Sequence, residues 1–363
     1  MKIIISGGGS GGHVYPAIAI ANALKEKGVN DILFVGANGK IEMEKVPAAG
    51  YDIVGLNISG FHRKEILRNI LFPFKLLGSL MKARKIIDKF SPDVVVGVGG
   101  FASGPVLKMA QWKKIPTLIQ EQNSFPGVTN KLLAANASRI CVAYDNMEKF
   151  FQKEKISITG NPVRKDLENV DALKSQAFSH FDLVQNKKTL LIFGGSLGAR
   201  SINNAIYHSS DQIAGLEDVQ IIWQVGKLYY DEFKNSTLAN CSHVKILPFI
   251  DRMDLAYSAA DVVICRAGAL TISELSIVGK PAIFIPSPNV AEDHQTKNAM
   301  ALTENNAAVL VDDEKAQELI FETMTKLMDD RDAQKSLSEN LRAIGKPDAR
   351  EKIADEIIKL AKK

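Results

Sequence analysis

The chain has 363 residues, of which 46% are hydrophobic and 24% charged, a balance that suits a soluble globular protein of about two domains. Lys and Arg number 45 against 41 Asp and Glu, and the resulting net charge of +4 is too mild to imply a nucleic-acid partner. Cys141, Cys241 and Cys265 are too far apart for a metal cluster and suit a reduced cytosolic protein, while the apolar run from Met1 to Ser6 is too short for a signal peptide and nothing downstream is long enough to span a bilayer.

In chain order, Lys2 to Ser6 reads as a short buried strand. It feeds the loop Gly7-Gly-Gly-Ser10-Gly11-Gly12-His13, with a helix expected over Ala17 to Lys27. The loop satisfies G-x-G-x-x-G, but a dinucleotide site also wants an acidic residue at the end of the second strand. That strand, Ile32 to Gly36, ends in Gly36, Ala37 and Asn38, which counts against a nicotinamide cofactor. The glycines still let backbone N–H groups approach a phosphate closely. Phe61 to Phe90 is basic and amphipathic, with Pro73 predicted to break it into two helical pieces. Its Leu71-Phe72-Pro73-Phe74 tip beside Lys75 suggests docking on an anionic membrane surface.

Pro92 to Gly97 is another buried strand and enters Gly99-Gly-Phe101-Ala-Ser103-Gly-Pro105. Ile115 to Ile119 ends in Gln120-Glu121-Gln122-Asn123, and polar residues at the carboxyl end of a parallel strand are where α/β ligand sites sit. Ser157 to Arg164 reads as a domain junction. Thr189 to Phe193 restarts the pattern of strand, glycine loop (Gly194 to Arg200) and helix. Strands are expected at Ile221 to Val225, Val244 to Phe249 and Ala282 to Ile285, and helices from Ala316 onward, interrupted at Lys346-Pro347. Asp330 and Asp332 form a D-x-D in a charged helical stretch and read as a solvated face, so no metal site is expected.

The most informative stretch runs from Ala260 to Asn298. A strand, Asp261 to Cys265, leads through Arg266-Ala-Gly268 into a helix that begins at Ala269. The unpaired N–H groups of a helix's first turn and its dipole make an anion site. Thr271 and Ser273 add hydroxyls, and Glu274, about one turn in, has the reach for a ribose diol. The stretch reads as a nucleoside-diphosphate site. The two halves also repeat each other: each starts strand, glycine loop, helix, and each later has Asp-Val-Val entering a glycine loop, at Asp93 and at Asp261. The duplication implies two Rossmann-like parallel-sheet α/β domains facing each other across a cleft.

Six motifs then occur in order: Gly7 to His13, Gly99 to Pro105, Glu121-Gln-Asn123, Gly160-Asn-Pro-Val-Arg164, Gly194 to Ala199, and Arg266 to Glu274. Together they resemble the MurG family of bacterial N-acetylglucosaminyltransferases. The resemblance implies the GT-B fold, with an acceptor- and membrane-facing domain over 1–162 and a UDP-sugar domain over 163–345, the terminal helix at about 346–363 being a candidate to pack back on the first. It implies inverting transfer of N-acetylglucosamine from UDP-N-acetylglucosamine to the 4-hydroxyl of the N-acetylmuramyl unit of lipid I, undecaprenyl-pyrophosphoryl-N-acetylmuramyl-pentapeptide, forming lipid II at the cytoplasmic face of the membrane. No cofactor, metal or nucleic acid is implied. Another GT-B UDP-sugar:glycolipid transferase is the alternative.

For the donor, the resemblance implies contacts from Ser10, Gly11, Gly12, Asn123 and Arg164, and from Ser196, Ile250 (backbone to the uracil), Ala269, Leu270, Thr271, Ile272, Ser273, Glu274 and Gln295. The chain departs from the family pattern at His294, Phe101 and Leu197. An inverting transfer needs a base for the acceptor hydroxyl, and residue chemistry offers two, His13 and Glu121.

Overall fold

The structure is a computed structural model and describes residues 1–60, 72–290 and 293–362. It divides into two compact units, Met1–Arg164 with Lys346–Lys363, and Lys165–Gly345. Leu71, Glu292 and the basic stretch from Phe61 to Leu71 lie outside the described residues.

In the first unit, β1 (Lys2–Ser6), β2 (Asp31–Ala37), β3 (Asp52–Leu56), β4 (Val94–Gly97), β5 (Thr117–Glu121), β6 (Arg139–Val142) and β7 (Ile156–Ile158) form one sheet. Its order is β3-β2-β1-β4-β5-β6-β7, and every pairing is parallel. The central strands are unbroken apolar runs because both faces are covered. Ile3 and Ile5 pack with Ile20 and Leu24 of the helix Gly11–Glu26 and with Ile353 and Ile357 of the helix Ala349–Ala361. Ile4, on the opposite face, packs with Ala83 and Ile87 of the helix Phe72–Phe90 and Val106 of the helix Ser103–Trp112. The terminal helix also has polar ties to this unit: Arg350 to Glu26 at 3.3 Å, Lys27 to Asp355 at 2.7 Å and Arg139 to Glu356 at 2.7 Å.

The second unit repeats the plan with β8 (Lys188–Phe193), β9 (Val219–Gln224), β10 (Val244–Leu247), β11 (Val262–Cys265), β12 (Ala282–Phe284) and β13 (Val309–Leu310). The order is β10-β9-β8-β11-β12-β13, again parallel throughout. Leu190 and Ile192 face one apolar layer, Leu191 and Phe193 the other. The internal repeat extends to single hydrogen bonds. The Asp93 carboxylate accepts from the Lys2 amide at 2.8 Å, and the Asp261 carboxylate accepts from the Thr189 amide at 2.7 Å. Each aspartate pins the start of a first strand to the start of the strand beside it. Cys141 and Cys265 are buried core thiols, and burial pushes Cys141 up to about 12, which leaves it inert.

In both sheets the chain order reverses direction around one strand pair, β1 and β4 in the first and β8 and β11 in the second. Outside the carboxyl ends of such a pair the connections diverge to opposite sides and leave a crevice, the usual ligand position in an open α/β sheet.

Local departures from sequence expectation are physical. The first helix begins at Gly11, so Gly11, Gly12 and His13 are its first turn and only Gly7 to Ser10 form the loop. Pro16 sits inside it and forfeits the bond to the carbonyl of Gly12. Pro73 lies within the helix Phe72–Phe90, and the helical piece expected before it falls in residues 61–71, outside the described residues. Asp330 is an N-cap, accepting from the Ala333 amide at 2.8 Å, and no cluster of metal-ligating side chains occurs among the described residues.

Ile353 is fully buried against the first unit. Ile353→Ala should therefore destabilise that unit by about 2–5 kcal/mol. Chemical denaturation followed by a probe in the first unit measures this; an unchanged midpoint would remove the terminal helix from its core.

Candidate active site

The loops at the first reversal point interlock. A Cβ on Gly7 would lie 2.2 Å from Val98 Cγ2, and one on Gly100 (φ +79°) 2.3 Å from the Gly8 carbonyl oxygen. Gly7 is required by space, and Gly100 both by backbone conformation and by space. At Gly99 (φ +93°) a Cβ would stand 2.9 Å from His13 Nε2, so the imidazole lies directly over this glycine.

His13 is oriented by the same loop. Its Nδ1 lies 3.1 Å from the Gly8 carbonyl oxygen and 3.2 Å from Ser10 Oγ. A carbonyl can only accept, so Nδ1 carries the proton in the neutral ring, and Nε2 has the lone pair. The hydrogen bond thus selects the tautomer a base needs.

Glu42, which the sequence reading passed over, organises the glycine loop. It is 1% exposed, and its two oxygens accept from the Gly9 and Ala37 amides at 2.9 Å each. A Cβ on Gly8 would collide with the same carboxylate at 2.2 Å. The Glu42 carboxylate therefore occupies the inner side of the loop at Gly8 and Gly9, where it would repel another anion. Ser10, Gly11 and Gly12 lie beyond it at the helix start.

Glu121 ends β5 and is also fully engaged. It accepts from the Asn123 amide (3.0 Å), Asn123 Nδ2 (3.2 Å), the Gly127 amide (3.0 Å) and Asn130 Nδ2 (2.8 Å). Burial pushes its carboxyl above the ordinary range, and these donors pull the other way. Asn123, half-buried, is held by two of them. Gln122 and Asn161 tie the same loop to neighbouring strands: Gln122 Nε2 donates to the Val98 carbonyl at 2.7 Å, and Asn161 Nδ2 to the Gln122 carbonyl at 3.0 Å. Arg164, half-buried, closes this unit's main segment.

In the second unit the reversal point gathers the Gly194–Ala199 loop after β8 and the helix Ala269–Val278 after β11. Gly198 donates to the Gly195 carbonyl at 2.9 Å in a tight turn that half-buries Ser196. Gln224, buried at the end of β9, bridges this loop to the next: its Nε2 donates to the Gly195 carbonyl at 2.8 Å and its Oε1 accepts from the Ile250 amide at 2.9 Å. Ile250 is buried with its N–H already engaged, so of its backbone only the carbonyl could serve a base.

Gly268 caps the helix in extended conformation, and Ala269, Leu270 and Thr271 form its first turn at the carboxyl edge of the sheet. Ser273 Oγ donates to the Ala269 carbonyl at 2.9 Å, so its proton is used within the helix and Thr271 is the better hydroxyl donor. Glu274 is buried, and its Oε2 accepts from the Tyr257 hydroxyl at 2.9 Å. Ile272 faces the core. Arg266 spans the carboxyl edge, donating to the Ile285 carbonyl at 2.9 Å and to Ser201 Oγ at 2.6 Å beside Asp313. Gln295 Oε1 accepts from the Ser287 amide at 2.8 Å, which sets the loop after β12 and leaves its amide NH₂ as the group to offer.

Residues 3–142 match the Glycosyltransferase family 28 N-terminal domain and residues 189–355 the Glycosyltransferase family 28 C-terminal domain. A UDP-N-acetylglucosamine-N-acetylmuramyl-(pentapeptide) pyrophosphoryl-undecaprenol N-acetylglucosamine transferase of Flavobacterium psychrophilum is 56% identical over 360 residues, covering 99% of this chain and 97% of the relative. The chain belongs to the MurG family. A transferase of the same name from Bacteroides fragilis is 51% identical, covering 99% of this chain and 96% of the relative. The crystal structure of Acinetobacter baumannii MurG superposes with a TM-score of 0.76 at 29% identity, covering 99% of each chain. A UDP-GlcNAc 2-epimerase from Neisseria meningitidis, at 13% identity and a TM-score of 0.70, shares the fold alone. The two parallel-sheet units are those of the GT-B glycosyltransferases to which the MurG family belongs.

Proposed function

We propose that this chain transfers N-acetylglucosamine from UDP-N-acetylglucosamine to undecaprenyl-pyrophosphoryl N-acetylmuramyl-pentapeptide, the lipid I to lipid II step of peptidoglycan synthesis. The observation that carries the reading is the arrangement after β11. A helix N-terminus at the chain-reversal point presents amides to an anion, and one turn on a buried carboxylate is held by Tyr257 at the reach of a ribose diol.

In this reading the second unit holds the nucleotide. The Gly194–Ala199 loop with Ser196 and the amides of Ala269, Leu270 and Thr271 take the diphosphate, Glu274 the ribose diol, and the Ile250 carbonyl the uracil. Arg164 adds positive charge to the diphosphate, and the amides of Asn123 and Gln295 address the transferred sugar's hydroxyls. The acceptor's 4-hydroxyl oxygen attacks the anomeric carbon as the bond to the diphosphate breaks, with inversion, and its proton passes to His13 Nε2. The electron pair leaves on the β-phosphate oxygen of UDP, where helix-terminal amides stabilise it. His13 is preferred over Glu121 as base. Glu121 is saturated with donors and serves to fix Asn123, whereas the Gly8 carbonyl sets His13 in the basic tautomer.

The helix Phe72–Phe90 supports a peripheral membrane reading. Phe74, Leu77 and Met81 share one helical stripe and are 73%, 57% and 56% exposed, with Arg84 and Lys85 exposed nearby. Phe72 and Lys75 are half-buried, so the apolar tip is carried by Phe74 and continues down the helix, not by the Phe72 and Phe74 pair. No described helix is long and apolar enough to cross a membrane. Each cation near an anionic leaflet contributes on the order of 1 kcal/mol, and each apolar side chain up to about 1.5–3 kcal/mol if fully buried. Binding is therefore peripheral and salt-sensitive.

Glu274→Ala should weaken UDP binding by roughly 1.5–3 kcal/mol, and Tyr257→Phe by less, about 0.5–1.5 kcal/mol. Calorimetric titration with UDP measures both; unchanged affinity in Glu274→Ala removes this residue from the nucleotide site. His13→Ala should lower kcat about 10²–10⁴-fold with donor affinity held. A variant with near-normal kcat in a lipid I turnover assay would move the base elsewhere. Replacing Phe74, Leu77 and Met81 together by Ser should release the protein from anionic vesicles and leave UDP affinity intact. Co-sedimentation at low and high salt reads this out, and wild-type behaviour of the triple variant would place the docking surface elsewhere.

A further inference from the structure

A cavity of ≈ 750 Å³ opens in the second unit at the amino ends of its strands, away from the nucleotide site. Its floor is made where β8 begins at Lys188, where Ala260 and Asp261 precede β11, and where Gly279, Lys280 and Pro281 precede β12. One wall is the helix Lys174–His180, and another is the helix Arg331–Ile344. The Gly194 loop leaves β8 at its other end, roughly 17 Å away at the rise of an extended chain.

The lining is strongly basic. Lys174, Lys187, Lys280 and Arg331 contribute to it, together with Lys188, Lys335 and Arg342. The one carboxylate in the lining is Asp261, and it already accepts from the Thr189 amide. Some of this charge has a structural use. Lys188 pairs with Asp329 at 2.5 Å, and Arg342 lies over Gly279 and donates to the Val278 carbonyl at 3.1 Å, capping the helix Ala269–Val278. Lys335 has only a long exposed contact to Glu339, at 4.0 Å. Arg342 also pairs with Asp171 at 3.8 Å. Among the described residues, none of Lys174, Lys187, Lys280 and Arg331 makes an ion pair with a carboxylate, although Asp171 and Asp261 lie near enough to Lys280 to attract it.

Lys280 is the decisive member. It sits on the cavity floor, and its ammonium is held below the ordinary lysine range, chiefly by burial. Asp171 and Asp261 oppose that shift, while Lys174 and Arg342 add to it. Helix capping accounts for Arg342 but not for a partly desolvated ammonium with like charges converging on it from separate segments. Such a cluster is unfavourable when empty and is relieved by a bound anion. Because the cations come from the 174–188 segment, the turn before β12 and the helix Arg331–Ile344, a ligand must carry more than one negative charge to meet them together. The volume is that of a small-molecule pocket.

We propose that this cavity is a second anion site, for a soluble diphosphate-bearing small molecule, distinct from the nucleotide site on the opposite edge of the same sheet.

The test is calorimetric titration of pyrophosphate into the full chain saturated with UDP, so that the nucleotide site is blocked. Wild type should bind, more weakly as potassium chloride is raised. Lys280→Met should lose about tenfold or more in pyrophosphate affinity, as should the exposed double variant Arg331→Ser with Lys335→Ser, with UDP affinity unchanged in both. The double variant decides the matter alone if Lys280→Met does not fold. Absence of binding by UDP-saturated wild type at millimolar pyrophosphate overturns the proposal. So does undiminished binding in the double variant.

Discussion

Every strand pairing in both sheets is parallel, and that constraint governs where chemistry is placed. A parallel pair needs a crossover, so each strand leaves the sheet at the same edge and returns from the other. The carboxyl edge collects every strand-to-helix loop, and at β1/β4 and β8/β11 the crossovers diverge. The amino edge collects the helix-to-strand returns. The two edges of the second sheet have opposite electrostatic character as a result. The carboxyl edge offers helix N-termini and a buried carboxylate, and the amino edge offers a helix C-terminus and a crowd of lysines.

Loops rich in glycine gain close approach and lose rigidity, and here buried polar side chains restore it. Glu42 holds Gly9, Glu121 holds Asn123 and Gly127, and Gln224 ties Gly195 to Ile250. Tyr257 fixes Glu274 through its hydroxyl. The carboxylate bonds are charge-assisted and the Gln224 bonds are buried or part-buried, which makes them strong and costly to leave half-made. In the proposed reading, the groups that meet the diphosphate and the sugar are thereby pre-positioned, so little ordering is left for the moment of binding.

The modest net charge conceals this distribution. Exposed cations flank an apolar stripe on the helix Phe72–Phe90 in the first unit, and others converge on a cavity in the second. Carboxylates are drawn into the interior as loop fasteners or into ion pairs along the terminal helix. A near-balanced composition is thus compatible with two locally basic surfaces.

The parallel α/β class, the strand positions, the glycine loops and the internal repeat were legible in the sequence because each is local. Continuous apolar runs such as Ile3-Ile4-Ile5 and Val262-Val263-Ile264 can only be strands covered on both faces, and the repeated aspartates Asp93 and Asp261 turned out to make the same bond in each half. Glu274 stood out because helix periodicity alone sets its reach from the first-turn amides. Tertiary structure alone decided which polar residues hold the loops and which can reach a ligand. Glu42 sits in a short charged stretch, Lys40-Ile-Glu42-Met-Glu44-Lys45, with no local sign of a buried carboxylate, yet it is buried under the glycine loop. Gln224 and Tyr257 have no local signal, and the N–H of Ile250, the hydroxyl of Ser273 and the oxygens of Glu121 look available until their partners are seen. A hydrogen bond between residues distant in sequence leaves no periodicity in the chain. Whether a polar group is offered to a ligand or consumed by its own fold is settled only when the packed neighbours are in place.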